Sequence, residues 1–393
     1  MSISATISPD ATRLVAAAAD LGPAIAGMRD EIERERRLPA SLVEQLRDLG
    51  FFSLWLAEDF GGPALSLSDY IRVIEALARQ DGAVGWCASV GAAYSMFAGL
   101  LTEPVARDIF VDQCAFVAGT GAARGSAVPV SGGYQVTGRW AYGSGIMHSE
   151  WVIGGCIVGN GDTPRRKPNG AVDTRICFFP SHSVEIIDTW KVGGLRGTGS
   201  HDFAVNDLFV PSSHVVSGDM DEPRVTGPLY ALPKNVALGI TIAAVPLGIA
   251  RAALDELGSL SAVRTPRIGT VVLRDKPVFQ SAVGRAEALW RGARAFLFEA
   301  CDDAWGAASA GVPITMHQRA LVRLACAQVA EATKAVVQIA YDAGGGTAVY
   351  QHCTLQRCFQ DVHTAAQHVQ VQSGNFETGG RVLLGLEPGT PVM

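Results

Sequence analysis

His368 and Ser144 are the side chains whose type and setting could do chemistry. An imidazole with an ordinary pKa of about 6.5 can donate or take a proton near neutrality. His368 closes the run Gln356-Arg357-Cys358-Phe359-Gln360-Asp361-Val362-His363-Thr364-Ala365-Ala366-Gln367-His368, where it reads either as a proton donor or acceptor or as a satisfied core histidine. Ser144 lies between Gly143 and Gly145, so its short hydroxyl can approach a flat ring that bulkier neighbours would block, or can simply build a turn. Leu195-Arg196-Gly197-Thr198-Gly199-Ser200 combines glycines that expose backbone N–H groups with two hydroxyls and a cation, a set suited to a phosphate or a polar ring edge and equally to a hairpin. It does not follow a strand and open a helix, so it is not a dinucleotide fingerprint. His148 and His363 read as structural, and Gly344-Gly345-Gly346 suits a helix end.

These residues fall in three stretches of different texture. Up to Leu101 apolar residues recur at helical spacing, as in Leu42, Val43, Leu46, Leu49 and then Ile71, Ile74, Ala78, with Pro39 and Ser41 at one start, Gly50 at its end, and Ser66 and Ser68 as later capping candidates. Past Phe116 the pattern becomes short β-branched and aromatic runs between glycines, 132–138, 151–158, 175–180 and 203–211, which predicts a compact antiparallel barrel or sandwich with a polar loop at 159–171. From Pro233 helical spacing returns, with long helices over 282–304 and 317–343. The predicted class is α+β, with units at 1–115, 116–225 and 226–393.

With 393 residues there is ample core material, and length alone favours more than one structural unit. A net charge of -6 with 18% charged residues argues against a polyanion-binding surface. The eight cysteines show no CxxC pair and no zinc spacing, which fits a reducing cytoplasm and predicts no metal. Met1–Asp10 has no basic segment leading into an apolar core, so no leader is expected. The apolar run 236–250, interrupted by Gly239 and Pro246, is too short for a membrane span and is expected to be a buried helix.

The helix–β–helix order and several local motifs resemble the acyl-CoA dehydrogenase superfamily: Leu56-Ala57-Glu58-Asp59-Phe60-Gly61-Gly62, Val205-Asn206-Asp207-Leu208-Phe209-Val210-Pro211, and Pro246-Leu247-Gly248-Ile249-Ala250-Arg251. Gly85-Trp86, Gly138-Arg139-Trp140 through Trp151, Trp190 through Ser200, and the Gln-Arg-x-x-x-Asp-x-His signature at 356–363 are more similar to its group D branch, the oxygenase components of two-component aromatic hydroxylases. The resemblance implies an N-terminal helical domain, a central antiparallel β-barrel and a C-terminal four-helix bundle. Phe359 and Gln360 stand where the branch commonly has Trp and Arg, and Tyr94 lies near a position many members give to His; both bear on the substrate.

Where many dehydrogenases place their Glu base, eight residues beyond the Asp, this chain has Val369, and the alternative base position has Leu238. Neither takes a proton, so the resemblance implies a monooxygenase that uses reduced FAD or FMN and O2 through a C4a-hydroperoxide to hydroxylate an aromatic or heteroaromatic small molecule. A separate NAD(P)H:flavin reductase would supply the cofactor, and the oligomer would be a homotetramer. Ser144 would accept from the flavin N5, and His368 would serve the peroxide or the substrate. Trp140, Arg196, Gly197, Thr198, Ser200, Gly345 and Gly346 would contact the cofactor, with one of Arg264, Arg267 and Arg274 on its phosphate. Trp86, Tyr94, Phe97, His148 and Val369 would line an apolar pocket for the ring. The competing expectations are a dehydrogenase with a relocated base, for which Glu377 is the candidate, and a catalytically silent flavin-binding or assembly protein.

Overall fold

The computed structural model describes residues 7–160, 163–264 and 271–390. The chain opens with helices α1 (Pro9–Asp20), α2 (Gly22–Glu35), α3 (Ala40–Asp48), α4 (Leu67–Gln80), α5 (Gly82–Tyr94) and the short α6 (Glu103–Arg107). Their starts are set by side chains that satisfy otherwise free N–H groups. Ser66 accepts from the Asp69 N–H at 3.1 Å, and Asp81 accepts from Ala83 at 2.9 Å and Val84 at 3.2 Å. Of the two serines expected to cap α4, Ser66 does so; the Ser68 hydroxyl instead donates to Asp302. Ile71, Ile74 and Ala78 form the buried stripe of α4. Helix α5 is buried nearly all round and forms the centre of the N-terminal part.

The strands are β1 (Val117–Val130), β2 (Gly133–Gly143), β3 (Trp151–Asn160), β4 (Thr163–Pro164), β5 (Thr174–Pro180), β6 (Glu185–Ile187), β7 (His201–Pro211) and β8 (Val215–Ser217). They form one sheet in the order β6-β7-β2-β1-β3-β5-β8, with β4 on the end of β3. The expected all-antiparallel pairing is corrected at one place: β1 and β3 run parallel, with Val117 opposite Trp151. The cause is the turn after β2, which returns the chain across the start of β1 before β3 begins. Of the polar loop at 159–171, Thr163–Pro164 pairs back onto β3, and residues 161–162 lie outside the described residues, as do residues 1–6 of the segment read for a leader.

Trp140 sits at the middle of this sheet, stacked on Phe203 at 5.2 Å and donating to the Gly155 carbonyl at 2.7 Å. A Cβ at Gly125 would come within 2.3 Å of its ring, so β1 can pass only because Gly125 has no side chain. Gly125→Ala is expected to cost about 1–3 kcal/mol by overpacking, read as a lowered midpoint in thermal unfolding. An unchanged midpoint would show that the sheet yields there.

The C-terminal part contains α7 (Pro228–Ala231), α8 (Lys234–Val263), α9 (Pro277–Ser309), α10 (Met316–Gly344), α11 (Thr354–Ala365) and α12 (Gly374–Leu383). Helix α8 continues through Gly239 and Pro246 for 30 residues, long and apolar enough by composition to cross a membrane, yet 83% of that window is buried inside the protein. It packs against α4, α5, α10 and α11, so the helical parts share one core.

Candidate flavin site

Ser144 stands in the turn that ends β2. Tyr142 (φ 69°) and Gly145 (φ 76°) on either side are left-handed, and the Gly145 N–H donates to the Thr198 carbonyl at 2.7 Å. Left-handed backbone at a tyrosine is strained, and Leu195 (φ 50°) repeats it on the facing loop. The pairing of β2 with β7, which sets Gly143 opposite His201, carries the two loops together. As a result Ser144 Oγ lies 2.8 Å from Ser200 Oγ, Ser200 Oγ lies 2.7 Å from Thr198 Oγ1, and Thr198 Oγ1 lies 2.9 Å from the Leu195 carbonyl. Trp86 on α5 closes the other end, its indole N–H donating to Ser144 Oγ at 3.0 Å.

The same indole meets His368, ring edge to face, with centroids 5.9 Å apart. His368 lies in the turn after α11 rather than on a helix. Its Nδ1 accepts the Gln370 N–H at 3.2 Å, so the neutral ring carries its proton on Nε2 and offers a donor there. Burial lowers its pKa to about 4, which keeps the ring neutral across the physiological range.

Behind the Leu195 loop stands Asp361. Its Oδ1 accepts the Leu195 N–H at 2.6 Å, and the side chain is 3% exposed. Burial and then the nearby Asp81 push this carboxyl well above the usual carboxylate range. It is the one acid on the buried stripe Cys358, Asp361, Val362, Ala365 of α11, a sequence signal of a held polar group, since an acid on an apolar face is rarely buried without a partner.

Other expected site residues are placed elsewhere. Trp140 is 1% exposed and enclosed by Phe179, Phe203, Gly125, Gly138 and Gly154, so it is a core residue of the sheet and not a cofactor contact. Gly197 is required by packing, because a Cβ there would lie 2.2 Å from Ile32. Arg196 donates to the Glu33 and Val192 carbonyls and pairs with the Glu33 carboxylate at 3.3 Å, which anchors the loop to α2. Tyr94 donates to the Gly119 carbonyl at 2.9 Å, and Phe97 packs on Phe178 in a separate core cluster. Val369 is 61% exposed in the single chain and therefore lines no enclosed pocket there.

His148 packs on Phe116 at 4.6 Å, and both its ring nitrogens are buried without a partner. Burial, then Arg47 and Arg37, lower its pKa to about 3, leaving one donor and one acceptor behind the Ser144 turn. His363 lies against Phe359 at 4.6 Å. Leu238 is half-buried on α8 and Glu377 exposed on α12. Gly345 and Gly346 are exposed after α10, and the Arg264 guanidinium donates to the Gly344 carbonyl beside them. Arg274 pairs weakly with Asp275 at 3.9 Å, and Arg267 lies outside the described residues. Among the described residues no three His, Cys, Asp or Glu side chains gather as a metal site.

The acyl-CoA dehydrogenase N-terminal domain model matches residues 15–104, and the acyl-CoA dehydrogenase C-terminal domain model matches residues 240–373. The chain is 32% identical to the indole-3-acetate monooxygenase of Pseudomonas putida, covering 92% of each protein. It is 28% identical to the flavin-dependent monooxygenase oxygenase subunit HsaA of Mycobacterium tuberculosis, over 94% of this chain and 96% of that one. The structure of XiaF from Streptomyces sp. in complex with FADH2 and glycerol superposes with a TM-score of 0.88 at 26% identity, covering 98% of each chain. The chain belongs to the acyl-CoA dehydrogenase family. Within it, the chain is a flavin-dependent monooxygenase that uses reduced flavin.

The residues around Trp86 suit that cofactor. Ser144 presents a buried oxygen, and His368 presents a neutral N–H donor against the same indole. Neither dehydrogenase base position carries a base: Val369 and Leu238 stand there.

Proposed function

We propose that this chain is the oxygenase component of a two-component system that hydroxylates a small aromatic or heteroaromatic molecule. The observation that carries the reading is the single indole of Trp86 touching both Ser144 and His368, an acceptor and a donor held in a largely buried setting without a carboxylate base. A bound reduced flavin supplies the electrons that activate dioxygen. Ser144 Oγ would accept a hydrogen bond from the flavin N5–H and so hold that proton on N5. His368 Nε2–H donates toward the reacting oxygen, and the burial of Trp86 and Ser144 excludes water. A separate NAD(P)H:flavin reductase supplies the reduced cofactor.

Arg264 with Gly345 and Gly346 is the candidate phosphate contact, which a neighbouring subunit of a homotetramer would complete. The eight cysteines are free thiols, in keeping with a cytoplasmic setting. Relatives named for indole-3-acetate support a heteroaromatic ring as the first substrate to try.

Two measurements test the reading. Chemically reduced FMN or FAD, oxygen and indole-3-acetate or a simple phenol should give hydroxylated product with no reductase present; reduction of bound flavin by an acyl-CoA would overturn it. Ser144→Ala should release hydrogen peroxide at least about tenfold more per product, the loss of one buried hydrogen bond, while the fold stays intact by circular dichroism. Unchanged coupling would remove Ser144 from the site.

A further inference from the structure

We propose that Thr198 and Ser200 are positioning residues that turn Ser144 into a pure hydrogen-bond acceptor, so that the site selects flavin with a proton on N5 over flavin without one. The inference rests on the reading that Ser144 meets the flavin N5, and it concerns residues that reading leaves without a role.

The number of protons fixes the direction of each bond. A carbonyl oxygen cannot donate, and two oxygens at 2.9 Å repel unless a hydrogen lies between them, so the Thr198 hydroxyl gives its only proton to the Leu195 carbonyl. Thr198 Oγ1 is then an acceptor toward Ser200, and the 2.7 Å contact between them requires the Ser200 proton. Ser200 Oγ in turn is an acceptor toward Ser144, and the 2.8 Å contact between those two requires the Ser144 proton. At the far end the Trp86 indole can only donate, and it donates into Ser144 Oγ.

Every hydroxyl proton in the chain Trp86, Ser144, Ser200, Thr198, Leu195 therefore points the same way. Ser144 keeps one free lone pair and no free proton. A group placed against it must bring the proton, as N5–H of reduced flavin does; N5 of oxidised flavin has only a lone pair and meets a lone pair. The polarity is held in place because both anchors are fixed: the indole by its position on α5, and Leu195 by the Asp361 contact on its N–H. Leu195 O also receives the Trp190 indole N–H at 3.1 Å, which holds that carbonyl toward the chain.

Removing a link should release the Ser144 proton to rotate outward. Ser200→Ala takes away its acceptor directly. Thr198→Val, nearly equal in volume, frees Ser200 to give its proton elsewhere or to donate back to Ser144. The test is the ratio of dissociation constants for oxidised and dithionite-reduced FMN, measured anaerobically by fluorescence or calorimetry on the full-length protein, and repeated with FAD. Wild type should favour reduced flavin, and in both variants the ratio should fall by about tenfold, the scale of one hydrogen bond, chiefly through tighter binding of oxidised flavin. Circular dichroism and thermal midpoints report folding of each variant. A ratio that stays within about twofold of wild type in both variants, while Ser144→Ala lowers it, overturns the proposal and leaves the N5 contact standing. A ratio insensitive to Ser144→Ala as well overturns both.

Discussion

His368→Ala is expected to turn the protein from an oxygenase into an oxidase. Flavin should still be bound and reoxidised, but product per flavin should drop by about 100-fold, the lower end of what a positioned proton donor contributes, with hydrogen peroxide as the replacement product. The reason lies in the ring's hydrogen bonds. With Nδ1 occupied by the Gln370 N–H, the proton on Nε2 is the one available to a ligand.

The pH dependence gives a second check. A neutral donor with its pKa lowered to about 4 is in its working form at every pH above that value, and below it the ring becomes a cation that can no longer accept at Nδ1. Coupling assigned to His368 should thus be flat from about pH 5 to pH 8 and fail only near pH 4, whereas an exposed imidazole would titrate near 6.5. A midpoint near 6.5 that vanishes in His368→Ala would show that the ring is not desolvated in the working enzyme.

Asp361 carries the other large effect, through stability and loop geometry. Asp361→Ala leaves the Leu195 N–H buried without a partner and opens a small cavity, together costing about 2–4 kcal/mol. It should also loosen flavin binding, because Leu195 carries the carbonyl that ends the hydroxyl chain. Asp361→Asn keeps an oxygen in the accepting position and should preserve flavin affinity. Its stability relative to wild type should depend on pH in a defined direction. The native carboxyl pKa is raised, so the stability it contributes is fully present below the unfolded value of about 3.9 and is lost as pH rises toward the native pKa. The asparagine variant has no such loss, so its unfolding free energy should gain on wild type between pH 4 and pH 8. Denaturant titrations at several pH values check this. A pH-independent difference would mean that the native carboxyl ionises as it does in the unfolded chain.

Much of the architecture is legible in residue order because it rests on local rules. The stripe of α4, the cap at Ser66 and the strands β2, β3, β5 and β7 follow from periodicity and turn chemistry. The strand β1 does not. Val-Ala-Gly-Thr-Gly-Ala-Ala-Arg-Gly-Ser-Ala-Val-Pro-Val is poor in β-formers, and it is a strand because it passes between β2 and β3 where Trp140 of β2 fills the space that Gly125 leaves open. The same packing takes Trp140 out of the site: a tryptophan beside the Ser144 turn is close in sequence, but its ring is held in the core by Phe203 and the Gly155 carbonyl.

Residue types of the candidate site could be read from the chain by their chemistry and by their likeness to the family: a glycine-flanked serine, an imidazole beside a missing base, a glycine-rich loop with two hydroxyls. Which of them meet could not. Ser144 and Ser200 are 56 residues apart and touch because β2 pairs with β7; Trp86 and His368 come from α5 and the turn after α11 and meet because both helices pack on α8. Proton direction along the hydroxyl chain and the anchoring by Asp361 depend on these long-range contacts. A hydrogen bond is decided over a few tenths of an ångström, whereas sequence spacing specifies only which face of an element a side chain occupies.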